Sequence, residues 1–136
     1  MDAAPPYLLD TCAWIDAFSA PELLKPSVRK LINDQRVVHV ASISLLEIAR
    51  KEAKGDLVFG MPLQDWFRSA LPRNRVELIE ISPEIAIDAT RLPEWDHKDP
   101  ADRLIVGTAR VHRLSVITSD AKILAYPHVA SRASRR

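Results

Sequence analysis

His97-Lys98-Asp99-Pro100-Ala101-Asp102-Arg103-Leu104-Ile105-Val106-Gly107-Thr108-Ala109 opens with two carboxylates and continues as an almost unbroken apolar run. Pro100 suits the first helical position, where its missing N–H costs nothing, and Asp99 suits the N-cap before it. From Leu104 to Val111 the segment is apolar nearly all the way round, which predicts a helix buried on most sides. An acid carried inward by such a helix needs a partner, because a lone buried charge is costly. The rest of the chain is therefore read for that partner.

On the N-terminal side, Tyr7-Leu8-Leu9 is a short apolar run that ends at Asp10, and Thr11 to Phe18 reads as a helix with Trp14, Ile15 and Phe18 available to a core. Pro21 to Asp34 is a second helical stretch interrupted by Pro26. The β-branched run Val37 to Ala41 predicts a strand, and Ser42 to Lys54 a helix that stops at Gly55. Between Gly55 and Arg75 lies a looser section around a short helix carrying Leu63, Trp66, Phe67 and Leu71. Val76 to Ile81 reads as a strand near a sheet edge, and Ser82-Pro83-Glu84 starts a helix that reaches about Arg91. Beyond the opening stretch, Leu114 to Thr118 is a strand, with a short helix after Asp120. Residues 131–136 are Ser/Arg-rich and read as a frayed basic tail on one domain spanning 1–130.

Strands alternating with helices predict an α/β sandwich of three layers around a mainly parallel sheet. Sites in such sheets form beyond the carboxyl ends of the strands. Asp10 follows the first strand directly and Asp120 lies just past the last. Glu47 and Asp102 sit early in helices that begin near the same edge if the crossovers are right-handed.

Composition narrows the function classes. The chain has 136 residues, 47% of them hydrophobic, and a formal net charge of +1. That is enough for a single core, and a near-neutral balance neither announces nor excludes a nucleic-acid partner. Cys12 is the one cysteine, so no internal disulfide forms, and it reads as a small residue on a short helix. The N-terminus lacks a basic start followed by an apolar run, and no stretch is long enough to span a membrane. These features predict a cytoplasmic domain.

Each acid has a structural explanation when taken singly. Ser44-x-x-Glu47 matches a capping box, Glu47 can pair with Lys51, and Asp10, Asp99 and Asp120 can each cap a helix. As a converging set they are harder to explain this way. A like-charge pair at about 4 Å costs on the order of 4 kcal/mol at an effective dielectric of about 20, against caps worth roughly 1 kcal/mol. Carboxylates without Cys/His ligand spacing call for a hard cation, Mg²⁺ or Mn²⁺ in its place, and such a site suits phosphate-ester chemistry. His39, His97, His112 and His128 show no metal spacing, and no Gly-rich phosphate loop is present. Arg103, Arg110 and Arg113 can serve a nucleic-acid backbone or, for the last two, a helix C-terminus. Trp66 and Phe67 can stack bases, or pack against a neighbouring helix or a second subunit.

Four blocks together resemble PIN-domain ribonucleases, in particular the VapC-type toxins of toxin–antitoxin pairs. They are Tyr7-Leu8-Leu9-Asp10-Thr11, Ser42-Ile43-Ser44-Leu45-Leu46-Glu47-Ile48, Asp99-Pro100-Ala101-Asp102-Arg103-Leu104-Ile105 and Val116-Ile117-Thr118-Ser119-Asp120. The resemblance runs from Tyr7 to about Tyr126. It implies a PIN-like fold and Mg²⁺-dependent cleavage of RNA. Its acidic positions match Asp10, Glu47, Asp102 and Asp120 here: the three aspartates as metal ligands, Glu47 as a ligand through water or the residue that orients the attacking water. Thr11, Asp99, Arg103 and Ser119 fall at supporting positions, with Arg103 steering phosphate or bracing an acid. The resemblance further implies a homodimer and a cognate antitoxin protein, with the section around Trp66 and Phe67 a candidate for either contact. Two alternatives stand beside it. One is another Mg²⁺-dependent phosphoesterase, although Cys12 stands where an Asp-x-Asp nucleophile motif needs its second acid. The other is a non-catalytic RNA- or partner-binding module of the same fold.

Overall fold

Two apolar cores lie on opposite faces of one sheet, and the alternation of a single strand separates them. In the computed structural model, which describes residues 6–136, β1 (Tyr7–Leu9) is buried throughout. Tyr7 and Leu9 face one core and Leu8 the other, as the two-residue period of a strand requires. Among the described residues the sheet has five strands in the order β3-β2-β1-β4-β5. The others are β2 (Val38–Ala41), β3 (Val76–Ile79), β4 (Ser115–Thr118) and β5 (Ser131–Ala133). Every pairing is parallel, so the mainly parallel expectation is met in full.

The first core is closed by α1 (Thr11–Ser19), α2 (Pro26–Asp34), α3 (Ile43–Ala53) and α4 (Leu63–Ala70). Trp14 is its centre: its ring packs on Trp66 and Phe67, and its indole N–H donates to the Ala70 carbonyl at 2.9 Å. Trp66 is 2% exposed and donates to Ser19 Oγ. Of the readings open to Trp66, packing against a neighbouring helix is the one its burial supports, which leaves little of this ring for a partner.

The second core is closed by α5 (Pro83–Thr90), α6 (Pro100–His112) and α7 (Ala121–Leu124). The opening stretch of sequence is α6, with Asp99 as its N-cap accepting from the Ala101 N–H. Gly107 lets α6 approach α5 closely, since a Cβ there would stand 3.2 Å from Ala89 Cβ.

The tail differs from expectation. Residues 131–133 form β5 against β4, the Ser134 N–H donates to the Thr118 carbonyl and the Ser134 carbonyl accepts from the Lys25 N–H. Arg135 then makes two 2.8 Å hydrogen bonds to the carboxylate of Asp16, which is 2% exposed on α1. Ser/Arg-rich composition reads as solvent-loving, but backbone pairing and one buried acid order this segment.

The strand order places a functional edge. From β1 the chain winds outward through β2 to β3, then returns to lay β4 on the other side of β1 and β5 beyond it. The reversal falls between β1 and β4, and a crevice opens outside their carboxyl ends at such a point.

Candidate active site

Asp10 and Asp120 follow the two strands that flank the reversal, so both arrive at that crevice. Asp10 is the N-cap of α1, and Asp120 that of α7. Glu47 comes from α3, which follows β2, and Asp102 from the first turn of α6, whose N-terminus must lie at this edge for the helix to lead back into β4. Asp10, Glu47, Asp99, Asp102 and Asp120 line one cleft of about 290 Å³ together with Thr11, Cys12 and Ser119.

Hydroxyl groups hold the acids in place. One Asp10 oxygen accepts from the Ala13 N–H at 2.8 Å and the other from the Thr118 hydroxyl. Thr118 in turn accepts from the Asp120 N–H at 2.9 Å, so one buried threonine ties the two strand-end acids together. Thr11 donates to Glu47 Oε1. Having only one proton to give, it must accept from Ser44, whose hydroxyl lies 2.8 Å away. The capping-box reading of Ser44 and Glu47 is thus not what these side chains do: the N-cap of α3 is Ser42, and Glu47 reaches across to α1.

Two cations enter the same cleft. Lys51 Nζ stands 3.8 Å from Glu47 Oε2 and Lys122 Nζ 3.6 Å from Asp102 Oδ2. They leave the acids under-compensated. Burial, with the charges of Asp120 and Glu47 adding to it, pushes Asp10 up to about 6 despite its hydrogen bonds. Burial together with the charges of Asp99 and Asp120 pushes Asp102 up to about 6 as well. Partial enclosure of the Cys12 sulfur and the Asp10 charge also hold that thiol above its ordinary value. It stays protonated and is a poor nucleophile.

Of the supporting residues, Thr11, Asp99 and Ser119 face the cleft and Arg103 does not. The Arg103 guanidinium donates to the carbonyls of His97 and Ala89, where it ties the approach to α6 onto α5 instead of steering phosphate. Arg110 is held by Asp88 and by the His128 carbonyl, and Arg113 caps α6 in the left-handed conformation at φ 57°. Arg110 and Arg113 line a larger groove, about 550 Å³, at the opposite edge of the sheet. That groove gathers no acid cluster. Thr118 and Lys122 also act on the acids of the cleft, and neither was singled out in the sequence. Ser44 and Lys51 were signalled by their spacing to Glu47, and the structure keeps the Lys51 pairing while giving Ser44 to Thr11.

The donor set is all oxygen, which suits a hard divalent cation and not a soft one. Among the described residues no three of these side chains are close enough to enclose a bare ion. An ion that keeps several waters and takes one or two carboxylates, as Mg²⁺ does, fits this wider spacing. Burial raises Asp10 and Asp102 most and the neighbouring acids add to it, so either a proton or a cation relieves these carboxylates.

Comparison with known proteins adds to this geometry. The sequence pattern of the PIN domain matches residues 7–129. The chain is 29% identical over 108 residues to ribonuclease VapC22 of Mycobacterium tuberculosis, covering 79% of this chain and 82% of that one. Its fold is similar to that of a chain in a toxin–antitoxin complex from Klebsiella pneumoniae, with a TM-score of 0.68 at 23% identity, covering 93% of this chain and 96% of that one. It is similar also to one in VapBC2 from Rickettsia felis bound to a promoter DNA fragment, with a TM-score of 0.66, 18% identity and the same coverage.

Proposed function

The chain belongs to the PIN-domain family, and on that premise we propose that it is a metal-dependent endoribonuclease toxin held in check by an antitoxin protein. The observation that carries the reading is the convergence of Asp10, Glu47, Asp102 and Asp120 on one cleft at the strand-order reversal. The similarity to ribonuclease VapC22 supports RNA as the substrate, and the toxin–antitoxin complexes among the structural relatives support the protein partner. The proposal includes a homodimer acting in the cytoplasm, and sedimentation of the purified chain checks the dimer.

In this reading Asp10, Asp102 and Asp120 hold Mg²⁺, or Mn²⁺ in its place, with Glu47 reaching it through water. The ion supplies Lewis-acid polarisation of the phosphate, a more acidic water and charge for the leaving oxygen. Thr118 and the Ala13 N–H keep Asp10 in one rotamer, so this carboxylate need not reorganise as substrate enters. Glu47, fixed on one oxygen by Thr11 and with the other 3.8 Å from Lys51 Nζ, would orient a water and accept its proton. Lys51 and Lys122 offset the repulsion between the acids and an arriving phosphate, and Asp99 maintains the helix start that presents Asp102.

Incubating the protein with RNA in Mg²⁺ or Mn²⁺ and mapping new ends tests the proposal, with EDTA and Asp10→Asn alongside. Discrete ends should vanish in EDTA. In the variant they should fall by more than about 100-fold, beyond the roughly 10- to 100-fold typical of residues that only support a metal ligand. Folded, antitoxin-free protein that yields no new ends would move the weight to a binding module or to another phosphate ester.

A further inference from the structure

Next to the acid cleft is a second pocket of about 360 Å³, and the two share a single residue, Lys122. Its wall is aromatic. Trp95 meets Tyr126 edge-on at 4.9 Å and His97 edge-on at 4.7 Å, and Pro127 lines the pocket with them. Trp95 and Tyr126 are buried, whereas the His97 side chain is 36% exposed, so the imidazole is the ring that an incoming group can cover.

Three further observations bear on this wall. Trp95 is 7% exposed, and its indole N–H has no hydrogen-bond partner. Tyr126, its neighbour, does find one, donating to the Pro93 carbonyl at 2.6 Å. A buried donor left without an acceptor costs roughly 1–3 kcal/mol, and since this nitrogen is closed to solvent an acceptor reaches it only if the wall opens. Glu94, on the pocket's rim, adopts φ 57°, a left-handed conformation that a non-glycine side chain resists. Strain of that kind gathers at ligand clamps. The Glu94 carboxylate is also 81% exposed, with one oxygen 3.9 Å from His128 Nε2 and the group otherwise open to solvent.

We propose that this pocket is a nucleobase subsite, taking one base of a single-stranded RNA whose neighbouring phosphate lies in the acid cleft. The assignment rests on the ribonuclease reading above. A base has a flat apolar face for His97, amino or imino N–H groups for Glu94 and, where the wall opens to admit it, a carbonyl for the indole that lacks an acceptor. Single-stranded RNA is recognised in this way, by stacking on aromatic side chains and hydrogen bonds to splayed base edges. Lys122 stands between the two pockets, where the strand's backbone must pass. The subsite gives the enzyme a preference for the identity of one nucleotide near the cut.

The test compares wild type, His97→Ala, Trp95→Phe and a control, Lys30→Ala, whose lysine is exposed on α2. Ends are mapped on an RNA pool of random sequence in Mn²⁺. Binding of a short single-stranded RNA is followed in EDTA by tryptophan fluorescence, with Trp14 and Trp66 lying in the other core. Wild type should show a base preference at one position beside the cut, and RNA should change its fluorescence. His97→Ala should still cut while losing that preference, and should bind about 5- to 100-fold more weakly, the range for one lost base stack. An oligonucleotide abasic at the preferred position should lose the same factor with wild type and nothing further with His97→Ala. Trp95→Phe should lose the fluorescence response and relax discrimination among bases that differ in their carbonyl groups. Mn²⁺ affinity, measured by calorimetry, should be the same in all four proteins.

If His97→Ala cuts with an unchanged preference, or no abasic position matches it, the subsite is overturned while the ribonuclease stands. If the variants bind RNA normally but bind an antitoxin less tightly, the pocket belongs to a protein partner and the proposal falls. A wild type that neither cuts nor binds RNA sinks the functional reading, and the subsite with it.

Discussion

One hydroxyl, that of Thr118, serves two acids at once. It donates to Asp10 and accepts from the Asp120 backbone, two roles that a single small hydroxyl can fill at once. Thr118→Val keeps the shape and removes both bonds. Because the Thr118 bond is one of the influences that lower the Asp10 pKa, its loss raises that value further. Metal affinity or activity should drop about 10- to 100-fold, as for other groups that orient a metal ligand. The acidic limb of the pH–rate profile should move to higher pH, and an unmoved limb would mean that Thr118 only packs. The acids themselves were legible because each follows a strand or opens a helix, positions that topology sends to one edge. Thr118 and Lys122 were not. A threonine in a β-branched run looks like any strand residue, and the pairing of Lys122 with Asp102 exists only once α7 lies beside α6.

At the scale of elements, β5 and the residues after it join the chain's end to its first helix. Asp16 is 2% exposed, and Arg135 satisfies both of its oxygens. Breaking a buried ion pair by removing one partner costs about 3–5 kcal/mol when both charges are deep. The Arg135 side chain is 43% exposed, so solvent screening reduces this to about 2 kcal/mol. Arg135→Ala should lower the urea midpoint accordingly, and Asp16→Asn added to it should recover part of the loss by removing the unpaired charge. If the double variant is no more stable than the single one, the buried charge is not the cause. The helices and the inner strands were legible from apolar spacing, caps and β-branched runs. The order in residues 131–136 was not, because a three-residue edge strand relies on backbone bonds and carries no apolar alternation to betray it.

For the whole molecule, acidity and metal act on one balance. Asp10 and Asp102 are pushed up from 3.8 to about 6. The folded, metal-free protein therefore holds these two protons more tightly than the unfolded chain does. Its stability from this source is fully present below about pH 4 and is lost as the pH rises through about 6. On the proposed metal site a divalent ion would compete for the same oxygens, so it should stabilise strongly near pH 7.5 and progressively less as the pH falls below about 6. Thermal melts in EDTA and in Mn²⁺ between about pH 5 and 8 check both slopes. Equal metal protection across that range would place the ion elsewhere. The strand order has a further consequence, for the chain during its own synthesis. β1 pairs with β4, and Asp10 bonds to a residue 108 positions later, so the first acid waits for the last. Contacts of such long range form late. A growing polypeptide on the ribosome carries Asp10, Glu47 and Asp102 well before residue 120 emerges from the exit tunnel. Until then the acids have no common cleft, and on the proposed ribonuclease reading the nascent chain would spare the messenger that encodes it.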